Sequence, residues 1–273
     1  MQRIRLVLAC AVTLDLANAS ARAQSADALM ARVGDWVHEF VEQFANVVAE
    51  EDYVPSVRSL GSRLTSDYLL VRYPGSSASW LTFRDVVAVD GNSLRNQPER
   101  LTRLFLEPFD GAVSQADAIT RHSARYISPL TDPLLGIAVL QRQYHPRFRY
   151  TVGDLDHGLG PGIRRIKFEE TGRPTILRDG SRDLPTHGIA WVLEASGRIV
   201  RTEVEIGERS RLTRTVVLTT AFKMDDALRI YVPVTMQDGF TMKDSAGVKG
   251  MAYYTRFRRF TVRTVETIDV PKP

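Results

Sequence analysis

Carboxylates come in close pairs along this chain: Glu169-Glu170, Asp225-Asp226, and Glu203 with Glu205. Two carboxylates set across a cleft can divide acid and base duties in a hydrolysis. Glu203 and Glu205, however, share a strand face with Arg201, the composition of a solvated charged face. The five histidines, at 38, 122, 145, 157 and 187, never recur at a three- or four-residue helical step, and no H-E-x-x-H occurs. No zinc-type ligand set is encoded locally. No serine lies in a G-x-S-x-G elbow, and Gly75-Ser76-Ser77 reads as a turn. His157-Gly158-Leu159-Gly160-Pro161-Gly162 has the glycines of a phosphate cradle, but a cradle needs a helix N-terminus behind it. Here a strand pattern follows and Pro161 removes a donor. Arg256-Phe257-Arg258-Arg259-Phe260 interleaves cations with rings, as single-strand nucleic-acid platforms do. As a strand it puts Phe257 and Arg259 on one face and Arg256, Arg258 and Phe260 on the other, a half-buried strand with arginine at its margins. The expectation is no catalytic residues, no metal ligands, no cofactor and no nucleic-acid partner.

The elements that would position any site are mainly strands. Ile189–Glu194, Gly197–Ile206, Leu212–Phe222, Leu228–Met236 and Gly250–Val265 read as consecutive strands, with Ala195-Ser196-Gly197-Arg198 as a tight hairpin turn. The second alternates Val200, Val204 and Ile206 against Arg201, Glu203 and Glu205. Trp191 and Val192 point to opposite faces, as do Val216 and Val217, so the middle of the sheet is apolar on both sides. Asp67–Tyr73 and Ser79–Asp90 form a hairpin around Pro74-Gly75-Ser76-Ser77, ending at the turn signal Asp90-Gly91-Asn92. Arg147–Val152 and Arg164–Glu169 are further strands. Pro55 puts Glu50–Leu60 at a sheet edge, and Thr171–Pro185 is a long polar loop.

Helices cover this sheet. Leu29, Val33, Trp36, Val37, Phe40, Val41, Phe44 and Val48 form one apolar stripe over residues 26–49. A helical insertion over residues 95–143 contains a helix from Pro98 to Leu106, a surface helix over Ser114–Tyr126, and a short helix opened by Asp132-Pro133 as N-cap and N1. Leu134, Leu135, Ile137, Val139 and Leu140 make that last helix apolar on most sides. The fold class is α+β: a curved antiparallel sheet, a half-open barrel, with an N-terminal amphipathic helix and a central helical insertion.

Met1–Arg5 and Leu6–Leu16 have the charge and apolarity of an export signal, and Ala21-Arg22-Ala23 the small-x-small cleavage pattern. Residues 1–23 are read as a cleaved signal and 24–273 as one domain. A lipobox reading of Val7-Leu8-Ala9-Cys10 leaves too short an apolar run. Arg3, Arg5, Arg22 and Asp15 precede the cut, so the remaining chain keeps +2 of the +4 formal charge, too little to point to a polyanionic partner. Cys10, the sole cysteine, leaves with the signal, so neither disulfides nor thiolate chemistry are expected. No other run approaches the about 18 apolar residues of a membrane span. The protein is expected in the periplasm or outside the cell.

Leu69-Leu70-Val71-Arg72-Tyr73-Pro74-Gly75, Phe83-Arg84-Asp85-Val86, Gly180-Ser181-Arg182-Asp183-Leu184-Pro185 and Tyr253-Tyr254-Thr255-Arg256-Phe257-Arg258-Arg259-Phe260 resemble segments of a group of secreted bacterial hypothetical proteins, a likeness that implies no activity. More distantly, the strand–turn–strand after Trp191 and the closing aromatic-Arg-x-Phe strand are similar to outer-membrane lipoprotein carriers. Those are incomplete antiparallel barrels that hold acyl chains under helices, and a related half-barrel is a periplasmic sensor binding a membrane-bound anti-sigma factor. The resemblance implies a half-barrel holding an apolar ligand, a lipid or acyl chain, without catalysis. Trp36, Phe40, Trp80, Trp191, Phe222 and Met236 are the expected cavity lining. The alternative is an envelope protein-interaction or sensor module using a sheet edge or the 171–185 loop with Arg173, Arg178 and Arg182.

Overall fold

The computed structural model describes residues 26–45, 47–57, 61–71, 80–94, 118–207, 215–242 and 245–259. Helix α1 covers residues 26–44. The strands β1 (Val47–Pro55), β2 (Leu64–Val71), β3 (Leu81–Val89) and β4 (Asn92–Ser93) follow, then α2 (residues 118–123), α3 (Leu135–Val139) and a 3-10 turn, Arg142–Arg147. The remaining strands are β5 (Phe148–Leu155), β6 (Ile163–Glu170), β7 (Leu177–Asp179), β8 (Arg182–Leu184), β9 (Thr186–Leu193), β10 (Arg198–Ile206), β11 (Thr215–Asp225), β12 (Ile230–Met242) and β13 (Ser245–Arg259). Eleven of them make one sheet, ordered β4-β3-β2-β1-β13-β12-β11-β10-β9-β6-β5 and antiparallel throughout. The sheet is curved and not closed into a barrel, and the fold class is α+β.

α1 packs on the β10–β12 part of this sheet. Its stripe Leu29, Val33, Trp36, Val37, Phe40, Val41 and Phe44 is buried, whereas Asp27, Asp35, Glu39 and Glu42 are exposed. Phe40 meets Phe222 edge-on at 6.0 Å between centroids and Trp36 meets Tyr231 at 6.2 Å. Each such side chain contributes about 1.5–3 kcal/mol by leaving water. The turn joining β9 and β10 lets α1 lie this close, because a Cβ on Gly197, at φ 72°, would stand 2.3 Å from the Arg32 carbonyl carbon.

Four details depart from the sequence reading. The helix ends at Phe44, and Val48 belongs to β1, since the β-branched pair Val47-Val48 packs better on a pleated strand. β1 is interior, between β2 and β13, and Pro55 is tolerated because it is the last residue of the strand. In β10, a bulge between Ile199 and Arg201 shifts the alternation, so Ile199 is buried and Val200 only partly so. The segment 171–185 contains the β7–β8 hairpin. Within the insertion, the Pro98–Leu106 helix and the first residues of Ser114–Tyr126 lie outside the described residues, as do residues 1–23 and the turn at 74–77.

Candidate functional site

Odd-numbered residues of β1 point to the helix-covered face: Val47, Ala49 and Tyr53 join the main apolar cluster. Glu51 shares that alternation and is fully buried. Its carboxylate accepts from the Arg84 Nη2 of β3 at 2.8 Å and from the Tyr254 hydroxyl of β13 at 2.7 Å. Arg84 also donates through Nε to Glu51 Oε2. Burial works against the guanidinium charge, but the Glu51 carboxylate outweighs it and holds the pKa above its ordinary value. Tyr254 is pushed well up by burial, then by Glu51. Nearby, the Tyr53 hydroxyl donates to Asp238 Oδ1 at 2.8 Å.

The segment before α3 closes over this cluster. Arg84 Nη2 donates to the Thr131 carbonyl at 2.7 Å, the Tyr68 hydroxyl to Asp132 Oδ1 at 2.8 Å, and the Thr82 hydroxyl to Asp132 Oδ2. Asp132 Oδ1 also takes the Leu134 N–H at 2.7 Å. The structure corrects the reading of Asp132-Pro133 as N-cap and N1: α3 begins at Leu135 with Leu134 in the N-cap place, and the Asp132 carboxylate, drawn to Tyr68 and Thr82, instead closes the preceding turn and ties it to the sheet. α2 does similar service at the β3 edge, where the Ser123 hydroxyl donates to the Arg84 carbonyl and accepts from the Val86 N–H at 3.3 Å. That satisfies backbone groups that an open edge would leave unpaired.

Two hollows adjoin this junction. A small chamber of about 60 Å³ is bordered by the polar Tyr68, Thr82, Arg84, Ser123 and Asp132 and by the apolar Phe83, Ala124 and Ile127. A larger cleft of about 250 Å³ lies between β3 and α3, walled by Trp80, Leu81, Leu134, Leu135, Ile176 and Leu177. Thr82 and Asp132 border both hollows.

The far wall of the cleft comes from the 171–185 segment, which is anchored from within. The buried Glu170 carboxylate accepts the Ile176 N–H at 2.7 Å and the Thr186 N–H at 3.2 Å. The Thr175 hydroxyl donates to the Leu177 carbonyl at 2.6 Å and accepts the Leu184 N–H at 3.0 Å. Arg173 and Arg178 pair with Asp183 at 3.7 and 3.5 Å; such half-exposed pairs add about 0–1 kcal/mol each.

Of the six residues read as cavity lining, Trp36, Phe40, Phe222 and Met236 belong to the buried cluster under α1, Met236 with no exposure at all. Trp80 is half-buried in the cleft wall. Trp191 lies on the opposite face, where its Nε1 donates to Asp156 Oδ2 at 2.9 Å and the Arg201 guanidinium stacks 4.8 Å from its ring. Among the described residues, no group of three His, Cys, Asp or Glu side chains is arranged to hold a metal ion, and no helix is long and apolar enough to cross a membrane. His187 lies 3.2 Å from Glu205 on the outer surface, whereas His145 is half-buried with Nε2 donating to the Leu140 carbonyl at 2.9 Å.

The Glu51–Arg84–Asp132 cluster escaped the sequence reading. A carboxylate in phase with Val47, Ala49 and Tyr53, and an arginine in phase with Val86, are the signals that mark it. No family model, curated protein or solved structure matches this chain.

Proposed function

We propose that this chain is a non-catalytic binding protein for a small apolar molecule or short acyl chain, held in the cleft between β3 and α3. The observation that carries this reading is the cleft itself: about 250 Å³ bordered mainly by Trp80, Leu81, Leu134, Leu135, Ile176 and Leu177. Ligand sites are concave, mostly apolar and furnished with a few polar groups, and here Thr82 and Asp132 supply those groups. The sheet acts as a half-barrel whose central apolar face is occupied by α1, so the ligand takes the margin beside α3. Export through the signal read in residues 1–23 belongs to the same proposal.

Native mass spectrometry of the detergent-free protein tests it. A bound apolar molecule that is lost in Ala138→Phe, which fills the cleft, is the expected result. Bare protein that also binds no added short-chain apolar ligand would overturn it.

A second reading, a partner-binding module, draws on the opposite face. There Val54, Val248 and Tyr253 are exposed by 37%, 42% and 46%, beside a groove of about 700 Å³ bordered by Glu50, Asp52, Pro55 and Arg63. Replacing Tyr253 and Val248 by Ser would then abolish partner capture and leave ligand binding intact.

A further inference from the structure

The chamber beside Arg84 extends the proposed cleft and sets which ligands it accepts. Arg84 is nine-tenths buried and lines that chamber. Its Nε and Nη2 are taken by Glu51 and the Thr131 carbonyl, and among the described residues its Nη1 donates to none. A guanidinium donor with no protein partner, on a residue that borders a narrow chamber, can take an oxygen acceptor there. Chamber and cleft meet at the Thr82–Asp132 hydrogen bond.

The local charge decides the kind of acceptor. Arg84 faces two carboxylates, Glu51 and Asp132, with Asp238 in electrostatic reach of the same cation. A further anion would enter a site already in carboxylate excess, whereas a neutral carbonyl takes the Nη1 hydrogen bond without that repulsion. Resting on the reading of the cleft as a ligand site, we propose that the ligand is a short uncharged acyl ester or amide: chain in the cleft, carbonyl oxygen on Arg84 in the chamber.

The test compares methyl octanoate, octanoate and nonane by calorimetric titration of the purified protein and of Ala124→Leu, whose larger side chain intrudes on the chamber that Ala124 borders. The ester should bind about ten-fold tighter than nonane, the worth of one hydrogen bond from a charged donor, and tighter than octanoate. Ala124→Leu should erase that advantage and leave nonane unchanged. Equal affinity for ester and nonane in both proteins would overturn the chamber's role and leave the cleft standing. Preference for octanoate would overturn the charge argument. No binding by any of the three would bring down the cleft reading as well.

Discussion

The Arg84 guanidinium meets the Glu51 carboxylate through two hydrogen bonds, Nε to Oε2 and Nη2 to Oε1, on the helix-covered face of the sheet. Taking two charges out of water is costly, and further partners offset part of that cost: Tyr254 for Glu51, the Thr131 carbonyl for the Nη2 of Arg84. The ion pair therefore fixes where the segment before α3 lands, and with it one wall of the cleft.

Breaking the pair on one side leaves a buried charge alone. Glu51→Leu is expected to lower unfolding free energy by about 3–5 kcal/mol, and the double variant Glu51→Leu/Arg84→Met to recover most of it. Urea denaturation with unchanged slope reads this directly. A double variant no more stable than the single one would mean that the arginine's charge is not what the single variant suffers from.

Gly136 sets the approach of α3 to β10. A Cβ there would stand 2.5 Å from Thr202 Oγ1 and 2.6 Å from its Cβ, and Thr202 is a stiff, buried side chain. Gly136→Ala should cost about 1–3 kcal/mol through overpacking and weaken ligand binding by shifting the cleft wall. Gly34→Ala, in α1, meets only side-chain atoms at 3.1 Å and beyond. It should cost clearly less than Gly136→Ala, because the gain of about 1 kcal/mol usual for this change in a helix offsets the milder crowding. Equal gains for both would show that α3 is not seated on Thr202.

Much of the sheet was legible because period-two alternation survives wherever one face is buried, as at Val204 and Ile206 of β10. Val200 was misplaced because a bulge adds one residue without any composition signal. The 171–185 hairpin stayed hidden for a different reason. Its order comes from the buried Glu170 carboxylate just before it and from Thr175 acting as a side-chain bridge, neither of which leaves hydrophobic periodicity. Trp36, Phe40, Phe222 and Met236 were legible as inward-facing, but apolarity alone does not distinguish the lining of a cavity from side chains that fill it. The cluster at Arg84 joins β1, β3, β13 and the turn before α3, a meeting that only the topology creates.

Four tyrosines have hydroxyls pushed above the usual value: Tyr53 and Tyr68 by burial and then Asp238 and Asp132, Tyr254 by burial and then Glu51, and Tyr150 by burial alone. A raised folded pKa gives stability that is complete below the unfolded value, about 10, and is lost as pH rises toward the folded one. Of the nine tyrosines in the chain, these four should ionise only together with loss of the near-ultraviolet circular dichroism signal. Smooth tyrosinate formation by all nine before any structural transition would contradict the burial of this face.

Asp238 adds a pH dependence of the same sign at the acid end. Burial raises its pKa, while the Tyr53 hydrogen bond pulls the other way without cancelling it. Its contribution is therefore whole below the ordinary aspartate value and shrinks as pH rises through the raised folded one. Asn at this position can still accept the Tyr53 hydroxyl and never ionises. The stability of Asp238→Asn relative to the parent should accordingly climb between acid and neutral pH and then level off. Urea midpoints of both proteins across that range measure it. A difference that is flat, or that falls as pH rises, would mean that Asp238 ionises at no cost and that the Tyr53 hydrogen bond, not burial, governs it.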